Sequence, residues 1–204
     1  TSTAITAGLS DLPSASLANN ATLSTICAGE SITFTAESIS GANYIFKLNS
    51  GIVQNSSSNI YTTSSISGQS TVTVEVTVSG CSASATNTIF VPAVTTIGSI
   101  GAPADITLCP GSFLGTIGSS AVGVVTGTLA YQWQSNLGDG SGWQPLGTVT
   151  TTAAFDGSLL AINSTTSIRR LTLATLNGVS CSSPSNVVTV TTSVDRAPVI
   201  SVSP

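Results

Sequence analysis

At 204 residues the chain has room for one large or two small domains, and with only 6% charged residues, against roughly 25% in ordinary soluble domains, its surface is polar but nearly uncharged. A net charge of −4 with four basic residues in all excludes the electrostatic footprint of nucleic-acid binding or of attraction to an anionic membrane. Histidine is absent, which removes the commonest general base, zinc ligand and near-neutral pH switch together, and no apolar run is long enough to span a bilayer, so direct membrane insertion is not expected.

Residues 1–20 read as an incoming linker with a first edge strand, small and polar and interrupted by Pro13. Cys27-Ala28-Gly29-Glu30 is a turn that launches Ser31–Ala36, whose alternation points Ile32, Phe34 and Ala36 inward. Tyr44–Leu48 forms the next strand, ended by Asn49-Ser50-Gly51, and Ile60-Tyr61-Thr62-Thr63 starts another. The strongest strand signal is Thr71–Val78, four valines on one face with threonines and Glu75 on the other, as a core strand with one wet side requires. Ser79-Gly80 turns the chain into a last strand from Cys81 to Phe90, and Val91-Pro92 closes the unit, since proline cannot donate to a ladder. Ala93 to Pro103 reads as a linker.

The order then repeats. Thr107-Leu108-Cys109-Pro110-Gly111-Ser112 echoes Thr25-Ile26-Cys27-Ala28-Gly29-Glu30 position by position. Val122–Gln134 reads as a hairpin leading into a strand that carries Leu129, Tyr131 and Trp133 on one face, with Trp133 as the core residue. In the first repeat Phe46, within Tyr44-Ile45-Phe46-Lys47, takes the tryptophan's place as core residue. Asn136–Gly142 is a turn cluster before Trp143-Gln144-Pro145-Leu146, and Ala153–Leu160 and Ser167–Leu176 are further strands. Asn177-Gly178 is a type I′ hairpin signal, followed by Cys181 and by Asn186–Thr191. No helical period is sustained anywhere. The fold class is therefore all-β, two tandem antiparallel β-sandwiches of about seven strands each, with repeat 1 at 1–93, repeat 2 at 94–195, and 196–204 opening the next linker.

Four widely spaced cysteines, with no C-x-x-C, indicate an oxidising compartment rather than metal or redox chemistry. Of the three possible pairings, Cys27 with Cys81 and Cys109 with Cys181 is preferred because each bridge then lies within one repeat, where closing so long a loop is worth about 4 kcal/mol in chain entropy. A tryptophan between two cysteines suggests the immunoglobulin arrangement. Here, however, the second cysteine follows the Asn177-Gly178 turn, so the bridge would staple one end of the sandwich.

Cys-x-Gly-Glu/Ser opening a strand, Tyr-x-Trp in the next, Gly-Trp-Gln-Pro-Leu after a glycine-rich turn, Ile168-Arg169-Arg170-Leu171 before a hairpin, and Cys181-Ser182-Ser183-Pro184-Ser185-Asn186-Val187-Val188-Thr189-Val190 at the end form a set. The set resembles the tandem immunoglobulin-like repeats of giant Bacteroidetes cell-surface proteins, including gliding adhesins of the SprB type. The resemblance covers nearly all of the second repeat and less of the first, where Phe46 replaces the tryptophan and the arginine pair is missing. It implies an extracellular repeat, exported by the type IX route, in a cell-surface filament that touches surfaces or polysaccharide.

Chemistry-bearing candidates are few. Trp143 follows a flexible turn and is the candidate ligand contact, a platform for a sugar or another protein, weighed against packing on the sandwich edge. Arg169 and Arg170 face opposite ways, so only one is placed near the tryptophan strand, in a cation-π contact or an ion pair with Asp156. Lys47 faces away from Phe46 and reads as solvated rather than as part of an isopeptide bond. Asp139 reads as a turn residue, since calcium needs six to eight oxygens and no further carboxylates cluster there. Scattered carboxylates and serines without a base give no catalytic residues, no metal ligands and no cofactor, so the chain is not read as an enzyme. The leading reading is a structural spacer in a surface adhesin filament, with neighbouring repeats, surface polysaccharide or other cell-surface proteins as partners. The alternatives are a glycan-binding module built around Trp143 and an accessory domain of a secreted enzyme.

Overall fold

The computed structural model describes residues 12–101 and 106–193. The linker read at 196–204, Pro103 and residues 1–11 lie outside them. The chain divides into two compact units, one running to Pro92 and taking in Leu176–Val179, the other running from Ala93 to Thr175 and resuming at Ser180.

Unit 1 contains β1 (Leu17–Asn19), β2 (Ile32–Ala36), β3 (Asn43–Leu48), β4 (Gly51–Ser56), β5 (Ile60–Thr63), β6 (Ser70–Val78) and β7 (Cys81–Ile89). They form a sheet in the order β1-β2-β5 and a sheet in the order β4-β3-β6-β7, all pairs antiparallel. The alternation read from the sequence sets the core: Ile32, Phe34, Tyr44, Phe46, Val72, Val74 and Val76 are all buried. Tyr61 fills the space between the sheets, its ring 5.6 Å from Phe46 and 6.2 Å from Phe34. Two tight hairpins join consecutive strands, β3 to β4 and β6 to β7. Asn49 and Ser50 at one, and Ser79 and Gly80 at the next, have the paired positive φ that matches the twist of the flanking strands.

Unit 2 contains β8 (Val94–Thr96), β9 (Ser99–Gly101), β10 (Ile106–Leu108), β11 (Ser112–Ala121), β12 (Val124–Val125), β13 (Thr128–Asn136), β14 (Gln144–Thr150), β15 (Phe155–Ile162), β16 (Thr166–Leu176), β17 (Val179–Pro184) and β18 (Val188–Thr192). One sheet has the order β10-β18-β16-β13-β14, with β17 also on β16, and the other β15-β11-β9, beside a β8-β12 ribbon. Its core joins Ile100, Leu114, Ile117, Trp133, Ile162, Ile168, Val188 and Val190, with the Trp133 and Phe155 rings 5.3 Å apart. Asn177 and Gly178 both have positive φ, the type I′ geometry expected of that dipeptide. The only helical turn among the described residues is a 3-10 turn at Thr22–Ser24.

Three expectations are corrected. Ala93–Pro103 is not a linker: its described part supplies β8 and β9, which pair with β12 and β11. The same pairing means that Val122–Gln134 is not a hairpin, because β12 turns away from β13 to meet β8. The cysteine pairing also differs. Cys81 and Cys109 carry free thiols, whereas Cys27 and Cys181 are disulfide-bonded, so neither Cys27–Cys81 nor Cys109–Cys181 forms. Lying within one repeat was the basis for that pairing, and it constrains neither the distance nor the direction of the thiols.

Candidate functional site

Both units hold the segment by which the chain leaves in a parallel pairing with an earlier one. In unit 1, Thr25 bridges Phe90 in parallel, with Ile26 N–H donating to the Phe90 carbonyl at 3.2 Å and Phe90 N–H to the Ser24 carbonyl at 2.8 Å. In unit 2, β10 pairs in parallel with β18, and Ser193 N–H donates to the Leu108 carbonyl at 3.0 Å. An asparagine then ties an early strand of each unit, β9 in unit 2 and β1 in unit 1. Asn186 grips Ile100 twice, accepting its N–H at 2.9 Å and donating to its carbonyl at 3.0 Å, as a paired strand would. Asn87 on β7 donates to the Leu17 carbonyl at 3.3 Å and accepts from Asn19 at 3.1 Å.

The tyrosines fix the loops that lead into the central strands. Tyr44 Oη donates to the Glu37 carbonyl at 2.9 Å and accepts Ile39 N–H at 2.8 Å, while Tyr131 Oη accepts Gly123 N–H at 3.3 Å. Beside Tyr131, Arg170 is fully buried. Its Nη1 donates to Ser119 Oγ and to the Ala153 carbonyl, both at 2.8 Å, and its Nη2 to the Ala121 carbonyl at 3.0 Å. The guanidinium carbon lies 4.5 Å from the Tyr131 ring centroid and 5.9 Å from that of Trp133. Burial pushes its pKa down from the ordinary arginine value, with a smaller opposing charge interaction from Tyr131; arginine's high intrinsic basicity keeps it a cation, held here by dipoles and ring faces. Thr172, next inward on β16, donates to the Ile97 carbonyl at 2.5 Å.

Of the residues singled out in the sequence, Trp133 is 2% exposed and Phe46 is fully buried. Trp143 is half-buried, and the Arg169 guanidinium carbon lies 4.1 Å over its ring, which occupies one face of the proposed platform. Both arginines therefore lie against the tryptophan strand, since β13 and β16 pair along their length and each sheet face receives one. Neither forms an ion pair with Asp156, whose carboxylate accepts Ser158 N–H at 3.0 Å; hydrogen bonds from Ser158 hold its pKa below the usual aspartate value. Asp139 is likewise lowered by Ser141, whose hydroxyl and N–H both bond to it in the turn. Lys47 pairs with Glu75 at 2.8 Å, the one ion pair among the described residues.

One open cleft, of about 300 Å³, lies at the end of unit 2 between the β13–β14 and β15–β16 loops. Ser135, Leu137, Gln144, Leu160, Asn163 and Thr166 line it, so it offers amide and hydroxyl groups over an apolar floor and no charge. Its loop wall is braced from within: Gly138 N–H donates to Asn136 Oδ1 at 2.8 Å and Gln144 Nε2 to the Ser141 carbonyl at 2.7 Å. The glycine-rich turn hinted at a loop site. It gave no sign that the wall would be completed by residues from the distant β15–β16 connection. Among the described residues no group of three or more His, Cys, Asp or Glu side chains is placed to hold a metal ion, and no helix is long and apolar enough to cross a membrane.

No protein-family model matches the chain and no curated protein sequence is similar to it. Among solved structures it is similar to the three N-terminal domains of the highly immunogenic outer capsid protein of bacteriophage RB49, at 10% identity and a TM-score of 0.51, over 88% of this chain and 70% of that one. The fibronectin(III)-like modules of Clostridium thermocellum CbhA align at 14% identity and a TM-score of 0.43, over 87% of this chain and 95% of theirs. The topology and the capsid-protein likeness together define the class: tandem immunoglobulin-like β-sandwich domains.

Proposed function

We propose that the chain is a tension-bearing spacer within an extracellular adhesin filament at the cell surface. The observation that carries this reading is a parallel pairing, in both units, between an early segment and the leaving one, Thr25 with Phe90 and Ile106–Leu108 with Val190–Thr192. Tension between the two ends of a unit loads such hydrogen bonds together, in shear, where an antiparallel hairpin would open one bond at a time. Asn87 and Asn186 add side-chain ties at the same place. The near absence of charge suits a filament that stays extended without binding ions or polyelectrolytes along its length. The resemblance to SprB-type repeats extends the reading to a type IX-exported surface protein of the gliding class.

Single-molecule stretching tests it. Each unit is expected to unfold in a discrete high-force step, with the step of unit 2 lowered by Asn186→Ala. Opening at forces no greater than an unstructured linker sustains, or insensitivity to Asn186→Ala, overturns the reading. A second reading, a glycan-binding module, is favoured by the uncharged cleft rather than by Trp143, whose ring is partly covered by Arg169. Binding on a carbohydrate array that is lost on Leu160→Arg and kept on Trp143→Ala supports it, and an empty array removes it.

A further inference from the structure

The two free thiols stand at equivalents of the two bonded ones. Cys109 occupies in unit 2 the place of Cys27 in unit 1: Glu30 N–H donates to the Cys27 carbonyl at 3.1 Å and Ser112 N–H to the Cys109 carbonyl at 3.0 Å. The glycines of these turns have φ of 80° and 84°, and their N–H groups donate to the matching carbonyls of Ile66 and Ile162. Cys81 and Cys181 correspond as well. Tyr44 pairs with Val76 and Tyr131 with Thr172, and Cys81 lies opposite Val78, two residues beyond Val76. The two-residue turn at Asn177-Gly178 sets Cys181 opposite Ala174, two residues beyond Thr172. The bonded cysteines are thus one turn cysteine and one hairpin cysteine, and the free ones, Cys109 and Cys81, are again one of each.

We infer that Cys109 of one chain forms a disulfide with Cys81 of a second copy, joining copies head to tail. The two thiols belong to different surfaces, so the contact is heterologous and extends into a filament instead of closing as a two-fold dimer. Cys109 is exposed and Cys81 half-buried at the first position of β7, so the exposed thiol reacts first. With a small-molecule disulfide such as oxidised glutathione as oxidant, the Cys109 thiolate attacks it and releases one reduced glutathione. The Cys81 thiolate of the second copy then attacks the mixed disulfide and releases the other, so two thiol protons and two electrons pass to the two glutathiones formed.

This inference rests on the tandem-repeat reading of the function, and its test is separable from that of the spacer. The 204-residue chain, mixed from unlabelled and nitrogen-15-labelled preparations, is incubated with oxidised glutathione and run without reductant. The expected result is a ladder beyond dimer, with Cys81–Cys109 cross-linked peptides that carry one label of each kind. Cys81→Ser and Cys109→Ser alone each lose the ladder, and the two variants mixed give a dimer and nothing larger. A chain that stays monomeric, symmetric Cys81–Cys81 or Cys109–Cys109 links in equal or greater yield, or rearrangement within one chain to Cys27–Cys81 and Cys109–Cys181 overturns the inference. Stretching the chain with both free thiols alkylated decides the spacer reading independently of any of these results.

Discussion

Opposite Phe46 unit 1 places Val74, and opposite Trp133 unit 2 places Arg170; one pair further along, Val76 of unit 1 is answered by Thr172. In unit 1 the centre of β6 is a row of buried valines, and the loop before β3 is held separately by the Tyr44 hydroxyl. In unit 2 the same inward positions reach through the core. Arg170 gathers Ser119, Ala121 and Ala153, Thr172 takes Ile97, and the segments leading into and out of β9 and β11 are held by side chains of one central strand. A sandwich of one topology can therefore be closed by apolar packing alone or by a guanidinium whose fork of donors meets loop carbonyls. The second solution leaves Arg170 Nε and Trp133 Nε1 without a protein partner, and it needs glycine where the chain passes closest. A Cβ on Gly98 would stand 2.6 Å from the Ala121 carbonyl oxygen and 2.7 Å from Arg170 Nη2, at a φ of +74°.

Exchanging the two centres is the sharpest way to break this comparison. Val74→Arg buries a cation in the apolar cluster of Phe46, Tyr44 and Val72, and a loss of more than about 5 kcal/mol is expected, enough to unfold unit 1. Hydrogen exchange on β3 and β6 should then become unprotected. The converse, Arg170→Val, leaves a cavity, takes the guanidinium donor from the Ala153 carbonyl and leaves the Ala121 carbonyl with Ser119 Oγ alone, for an expected loss of about 3–5 kcal/mol. Both tryptophans lie in unit 2, so denaturant unfolding followed by their fluorescence reports this loss directly, and a neutral result would mean that the carbonyl cage contributes nothing.

Gly98→Ala should cost about 1–3 kcal/mol by the same readout, because it combines a strained backbone with a clash against backbone and guanidinium. Gly29→Ala, at a similar φ of +80° but with open space around the new methyl, should cost only the backbone strain, about 1–2 kcal/mol. Trp143→Ala should cost less again, about 0.5–1 kcal/mol, through its contact with Arg169. The smallest effect is on pH. Asp139 and Asp156 titrate lower in the folded chain than in the unfolded one, so their contribution is present above the ordinary aspartate range and fades as pH falls through their depressed values. With no histidine, unfolding midpoints should be flat from about pH 8 to 5 and fall only in acid, and Asp139→Asn should shallow that acid limb.

The strands with clean alternation were legible from residues alone: β2, β3, β6 and β13 fall where Phe34, Phe46, the valine row and Trp133 set the phase. So were the turns whose chemistry is local, Ser79-Gly80, Asn177-Gly178 and the two Cys-x-Gly turns. Strand β11 was not, because Gly115 and Gly118 interrupt its pattern and its inward positions shift at a bulge between Phe113 and Gly115. The burial of Arg170 was in principle readable, since it shares the phase of Ile168, Thr172 and Ala174. An arginine in that phase is ordinarily taken as the outward exception, and the carbonyls that solvate it come from positions far away in sequence.

Periodicity and turn chemistry act over a few residues, and by themselves they determined an all-β chain, its duplication, and the apolar side of its central strands. Which cysteines bond, how β8 and β9 are captured, where the cleft opens and what surrounds the guanidinium were decided only in three dimensions. Each of those depends on the distance between groups that the chain brings together by folding, and sequence spacing carries no record of that distance.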